Sequence, residues 1–111
     1  LSNAIGGLRM VSELIRPAVV GFLDKMLRAR EGKSYRFEDI TIPAGSKFTG
    51  QTLAKANLLH NTRLLIVAMK EKDGDFVYNP VSSTIIKDES VMVVMGESVE
   101  TNKVRESVEN Q

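Results

Sequence analysis

The chain has 111 residues, a length that suits one small domain. Hydrophobic residues make up 42% and charged residues 26%, enough for a core beneath a charged surface. A formal net charge of +1 argues against a general nucleic-acid-binding surface, and the absence of cysteine excludes disulfides and thiolate metal sites.

No apolar run approaches the ~18 residues that suggest a membrane span. The most apolar region, Ile5 to Leu27, carries Arg9, Glu13, Arg16, Asp24 and Lys25. It is too charged for a signal peptide. The missing cysteines fit a cytoplasmic protein. A start at Leu1 rather than Met is expected of a fragment or a processed product.

Residues 5–28 read as a helical hairpin or one kinked helix. Leu8, Val11 and Ile15 line one side of the first piece, broadened by Met10 and Leu14. Pro17 sets a break and suits the first position of a second helix. There Val19, Phe22, Leu23, Met26 and Leu27 follow the i, i+3, i+4, i+7, i+8 spacing of an apolar stripe. Ordinary packing on the chain's own sheet is one reading. The other is a dimerisation arm using Leu14, Ile15, Val19, Phe22, Leu23 and Met26, because two wide stripes exceed what one small lobe can cover. Residues 29–35 are a polar linker with a Gly stop signal, which divides the chain into an arm, 1–32, and a lobe, 33–111.

The stretch from Ile40 to Met69 organises the lobe. Ile40 and Ile42 alternate with Thr41, with Phe37 upstream, as in a strand with one buried face. Pro43 ends that strand, and Ala44-Gly45-Ser46 and Gly50 are turn residues. Thr52 is placed to cap a short helix containing Leu53 and Ala56. Leu64-Leu65-Ile66-Val67-Ala68-Met69 has no polar alternate, so this strand is expected to be covered on both faces. Glu71-Lys72-Asp73-Gly74-Asp75 is a hairpin turn leading to a return strand at Phe76-Val77-Tyr78. Asn79-Pro80 ends it. Thr84-Ile85-Ile86 is a short strand or extended piece, followed by a turn at Lys87-Asp88-Glu89. Val91 to Met95 is a second strand apolar on both faces, with Gly96 as its end. Ser98 is placed to cap a final helix with Val104 and Val108 one turn apart.

The order strand, Pro-x-Gly-Ser turn, Gly-x-Thr-Leu-Ala helix start and apolar strand resembles the C-terminal lobe of the regulator-of-potassium-conductance (RCK) domain, also called TrkA-C. The resemblance runs from about Phe37 to Gly96. Ile5-Gly6-Gly7-Leu8-Arg9-Met10 and Arg16-Pro17-Ala18-Val19-Val20-x-Phe22-Leu23-Asp24 are similar to the crossover helices that precede this lobe in potassium channels. The resemblance implies that these helices cross to a partner subunit. The family usually has Gly-Asp where this chain has Asp88-Glu89; Asp tolerates the left-handed conformation, so the turn is expected to survive.

Catalytic chemistry finds little support. His60 is the only histidine, and Ser46 lies in Ala-Gly-Ser-Lys rather than in a nucleophile elbow, so the chain is expected not to be an enzyme. Glu71, Asp73 and Asp75 are weak candidates for a cation such as Ca²⁺, but the Asp-x-Asp-x-Asp-Gly loop is missing. A solvated hairpin turn is the plainer reading. Ile5-Gly6-Gly7 follows no strand and is not a phosphate-cradling loop. These 111 residues carry no counterpart of the family's nucleotide-binding lobe, so they are expected to hold no NAD or ATP cofactor.

Asn57, His60, Asn61 and Arg63 form the candidate ligand-binding set: amides, imidazole and guanidinium between the short helix and the apolar strand. A polar loop without a ligand is the alternative. Some members of the family bind cyclic di-AMP in the dimer cleft built partly from this segment. They carry a basic residue near the position of Leu59 and an Asn where this chain has Leu65, so both departures weaken that ligand here.

The expected fold is α+β: a small mixed or antiparallel sheet of about four or five strands, a short inserted helix, an N-terminal helical hairpin and a C-terminal helix. The resemblance implies a homodimeric regulatory domain at the cytosolic face of a potassium channel or transporter, with a nucleotide or cation effector; from the charge balance no nucleic-acid partner is expected. The alternatives are a structural dimerisation lobe without a ligand, or an effector domain of a transcription regulator or another transporter. Burying one large apolar side chain contributes roughly 1.5–3 kcal/mol, so the arm should dominate assembly. Sedimentation of a chain starting at Lys33 is expected to show weaker association than the whole chain; equal association would remove the arm from the dimer.

Overall fold

The structure is a computed structural model that describes residues 16–28 and 35–109. The chain divides into two compact units, Leu1–Gly32 and Lys33–Gln111.

In the first unit the described helix is α1, Pro17–Arg28. Pro17 takes its first position, where a missing N–H loses no intrahelical bond. Along the apolar stripe Val19 and Phe22 are exposed, Leu23 is half-buried and Met26 is buried. Leu14 and Ile15, the rest of the N-terminal hairpin and linker residues 29–34 lie outside the described residues.

The second unit contains β1 (Tyr35–Thr41), the one-turn α2 (Leu53–Ala56), β2 (Leu65–Lys70), β3 (Val77–Tyr78), β4 (Val91–Glu97) and α3 (Ser98–Glu109). The four strands form one antiparallel sheet in the order β1-β4-β2-β3. This is the α+β lobe expected from the sequence, with every pairing antiparallel. Tyr35, read as linker, is the first residue of β1.

Side-chain alternation sets the two faces of the sheet. Ile40 of β1 stands opposite Met92 of β4, and Met92 stands opposite Met69 of β2. Glu38 and Val94 share this face, as does Ile66. α3 packs on it and brings Val104 and Val108 into a core with Ile40, Ile42, Ile86, Met92 and Val94. Arg105 fastens helix to sheet: Nη2 donates to the Asp39 carbonyl at 2.7 Å and lies 3.6 Å from Glu38 Oε1.

The loops follow local chemistry. The Thr52 hydroxyl oxygen accepts from the Lys55 N–H at 3.1 Å and caps α2. Asn57, left-handed at φ 45°, closes the helix by donating its N–H to the Leu53 carbonyl. Ile85 makes a single bridge to Thr52, so residues 84–86 form an extended piece that pairs with the start of α2 rather than a sheet strand. Asp88 Oδ1 accepts from the Gly45 N–H at 3.0 Å and from the Thr49 hydroxyl at 2.7 Å, joining the two turns.

Four local expectations are corrected. β2 is not covered on both faces: Leu65 is 54% exposed. A bulge between Ile66 and Ala68 shifts the side-chain parity, and the residues it leaves on the open face, Leu65 and Ala68, are themselves apolar, which is why the run lacks alternation. Gly96 does not end β4, which continues to Glu97; a Cβ there would stand 2.5 Å from Leu64 Cδ2, so Gly96 is where the chain entering β2 presses on β4. Ser98 does not cap α3, since its buried hydroxyl has no hydrogen-bond partner. The left-handed residue of the 87–89 turn is Glu89, at φ 60°, and not Asp88.

A non-glycine residue in the left-handed region costs roughly 1–2 kcal/mol, so Glu89→Gly should stabilise the lobe by up to about 1 kcal/mol after the extra chain entropy of glycine is subtracted. A lower melting temperature would mean that the Lys72–Glu89 ion pair, 3.2 Å long, outweighs the backbone relief. The Arg63 backbone N–H donates to Glu100 Oε2 at 2.9 Å. Glu100→Ala should therefore cost about 1 kcal/mol and speed hydrogen exchange at the Arg63 amide. Arg63→Ala keeps that backbone bond and should shift stability by only about 0.5 kcal/mol or less.

Candidate ligand-binding site

The segment from Asn57 to Leu64 is a sequence of tight turns between α2 and β2. His60 N–H donates to the Asn57 carbonyl at 3.1 Å and Thr62 N–H to the Leu59 carbonyl at 3.0 Å. The Thr62 hydroxyl donates to the same Leu59 carbonyl at 2.8 Å and accepts from the Leu64 N–H at 3.3 Å. Asn57 and Asn61 both have positive φ, 45° and 59°, so the two asparagines stand where the turn needs left-handed residues. Their presence has a conformational reason before any functional one.

Asn57 Nδ2 and His60 Nδ1 are 3.2 Å apart. When the amide donates, Nδ1 is the acceptor and the ring proton sits on Nε2. The pair holds the ring while leaving its second nitrogen without a hydrogen bond among the described residues.

Asn57, His60, Asn61 and Thr62 line one side of a cavity of about 420 Å³. Lys103, Val104 and Ser107 of α3 form the opposite side, and Phe48, Ala56 and Leu58 supply apolar floor. Three of the four expected residues are thus brought together. Arg63 does not line this cavity; its side chain is exposed beyond the turn that Glu100 pins. Lys103 and Ser107 were not legible as partners of the loop, because they arrive from a helix that follows β3 and β4. The i, i+4 spacing of the two residues on the edge of an apolar helix stripe was the available signal.

The carboxylates of the β2–β3 hairpin do not gather. Glu71 lies 3.4 Å from Lys87 Nζ, and Gly74 N–H donates to the Glu71 carbonyl at 3.0 Å to close the turn. Among the described residues no group of three His, Cys, Asp or Glu could hold a metal ion. No described helix is long and apolar enough to cross a membrane.

The second face of the sheet carries another kind of site. Register places Phe37, Met95 and Leu65 side by side across β1, β4 and β2, with Val93 one step along. Tyr35 shares this face on β1, and Tyr78 extends it onto β3 opposite Ala68. Tyr35, Phe37, Leu65 and Tyr78 are all exposed. An apolar row across three strands is the composition of an interaction surface.

Known proteins share this architecture. The RCK_C domain dimer of S. agalactiae BusR, solved in complex with c-di-AMP, has a TM-score of 0.57 at 20% identity; 67% of this chain covers 89% of that one. The RCK C domain of the potassium transport protein KtrA, also solved with c-di-AMP, has a TM-score of 0.60 at 14% identity, with 82% of this chain covering 96% of that one. The GsuK channel bound to NAD has a TM-score of 0.60 at 20% identity; 98% of this chain covers 18% of it. BusR with its busAB-promotor DNA has a TM-score of 0.58 at 18% identity, and this chain spans 52% of its length. At these identities the likeness shows the fold. No curated protein matches the sequence. Residues 37–108 match the TrkA-C domain, nearly the whole of the second unit, and the chain belongs to that family as a C-terminal RCK lobe.

Proposed function

We propose that this chain is a regulatory lobe that senses a small ligand and assembles as a homodimer, and that it governs a potassium channel or potassium transporter from the cytoplasm. The observation that carries this reading is the exposed apolar row Phe37–Met95–Leu65, flanked by Tyr35 and Tyr78. A twofold partner presenting the same row would bury it, since an isologous interface is self-complementary. The similar BusR lobe is solved as a dimer, which supports a second copy as the occupant. Asn57, His60 and Asn61 supply the sensing side, and the chain performs no catalysis of its own. Ligand would act by favouring one dimer geometry over another, and the arm at residues 1–32 would pass that preference on.

Leu65 replaces the Asn through which some relatives were expected to bind cyclic di-AMP. The middle of the row is therefore apolar here, which favours assembly over base recognition at that spot. The transcription-regulator reading keeps one supporting fact: the BusR chain, of which this chain spans 52%, is solved with promotor DNA.

Leu65→Lys tests the interface. A charge at the middle of a buried apolar row is left unpaired, so dimer affinity in sedimentation should fall at least about tenfold, or ~1.4 kcal/mol. The monomer should stay folded, because Leu65 is 54% exposed. Unchanged association would discard the sheet face as the interface. In the full-length protein, potassium flux that ignores Leu65→Lys, with promotor occupancy that responds to it, would assign the lobe to a transcription regulator.

A further inference from the structure

We infer that the cavity between the Asn57–Thr62 turns and α3 is a site for a small organic anion, a phosphate or carboxylate carried on a flat apolar body. The inference names the ligand class for the sensing half of the proposed function and does not depend on the dimer half. Three observations lead to it.

The first is charge. Lys103 lines the cavity and no Asp or Glu does. No ion pair among the described residues engages Lys103. A lysine at the wall of a cavity that no carboxylate lines favours anions over cations.

The second is the state of the polar groups. The turn's own hydrogen bonds use the Thr62 hydroxyl and His60 Nδ1. The Asn61 carboxamide, the Ser107 hydroxyl and His60 Nε2 make no hydrogen bond among the described residues. Donors from two separate elements thus meet at one cavity with capacity to spare, which is what an oxyanion with several lone pairs requires.

The third is the floor. Phe48 and Val104 are apolar, so a bare inorganic ion would leave part of the cavity without a matching surface. A volume of about 420 Å³ also exceeds what a single phosphate fills and suits a ring-bearing molecule. The cavity lies on the α3 side of the sheet, whereas Leu65 stands on the opposite face. It is therefore separate from the apolar row assigned to the second copy.

The test is a titration of the ¹⁵N-labelled chain followed by amide chemical shifts. Phenyl phosphate is the probe; inorganic phosphate and phenol are its head and body alone. Saturating shifts at Asn61, Thr62, Lys103 and Ser107 are expected with phenyl phosphate. Phosphate alone should bind at least about tenfold more weakly, and phenol should show no saturation. Lys103→Gln should weaken phenyl phosphate about tenfold, and Leu65→Lys should leave it unchanged. Lys103 is exposed, so its replacement should not disturb the fold. Absence of saturation, equal binding by phenol, or indifference to Lys103→Gln would overturn the proposal. Shifts centred on Leu65 and Met95 would move the ligand to the sheet face and overturn it as well. A site that binds phenyl phosphate in a chain whose dimer ignores Leu65→Lys would keep the ligand class and discard only the interface.

Discussion

β4 is apolar on both faces, and within the second unit one long helix covers only one of them. Met92, Val94 and Gly96 turn toward α3 and are buried, while Val91, Val93 and Met95 turn the other way and are half-buried. A central strand gains packing from each face it covers, so an open face is a standing free-energy incentive to associate. The flanking strands repeat the asymmetry. Ile40 and Ile42 are buried beneath α3, whereas Tyr35 and Phe37 stay exposed on the other parity of the same segment. The lobe is half of a sandwich whose second layer the unit itself does not provide.

The buried half is held by a small number of polar fastenings as well as by apolar packing. Arg105 ties α3 to β1 through the Asp39 carbonyl, and Glu100 ties the first turn of α3 to the Arg63 amide. Neither is a strong ion pair in its own right. The 3.6 Å Arg105–Glu38 contact is partly solvated and contributes little, and the 2.7 Å bond to a backbone carbonyl is the better-formed interaction. Their value is positional: they fix the rotation of α3 about its axis, which decides that Val104 and Val108 enter the core while Lys103 and Ser107 are left at its edge, where they line the cavity.

Local chemistry made much of the lobe legible. Pro17 at a helix start, Thr52 as a cap, the Asp73-Gly74 hairpin and the alternation of Ile40 and Ile42 each depend on one residue and its neighbours. What sequence reasoning missed was non-local. The run in β2 is uniform because its open face, with Leu65 and Ala68, is apolar too, and only the register with β4, shifted by the bulge, shows which residues stand there. Gly96 looked like a terminator because glycine often is one; the close approach of Leu64 that favours it is visible only when the two strands are side by side. Ser98 was placed as a cap by residue type, yet β4 passes into α3 so directly that its hydroxyl is buried without a partner. At the site, the loop side could be named and the helix side could not. A hydrogen-bonding turn marks itself by asparagine, whereas a lysine on a helix reads as solvated surface until something concave is found in front of it.

The cavity and the open sheet face lie on opposite sides of the sheet, yet they share one short stretch of backbone. Asn61 and Thr62 line the cavity, Arg63 is fastened to Glu100, Leu64 presses on Gly96, and Leu65 stands in the apolar row opposite Met95. Those five consecutive residues carry the chain from the helix side of the lobe to its open face. Leu64 Cδ2 occupies the space that a Cβ at Gly96 would take, so the two strands approach closely there. A displacement of the turn would pass along the backbone into the start of β2 or be resisted by the Glu100 bond. A ligand that binds both Asn61 and Lys103 would stiffen the turn against α3 and so oppose such displacement. The coupling would then come from differential stabilisation of one position of the turn, with Leu65 as the residue that feels it first. In the proposed reading, sensing and assembly would be joined through this five-residue crossing rather than by a shared binding surface.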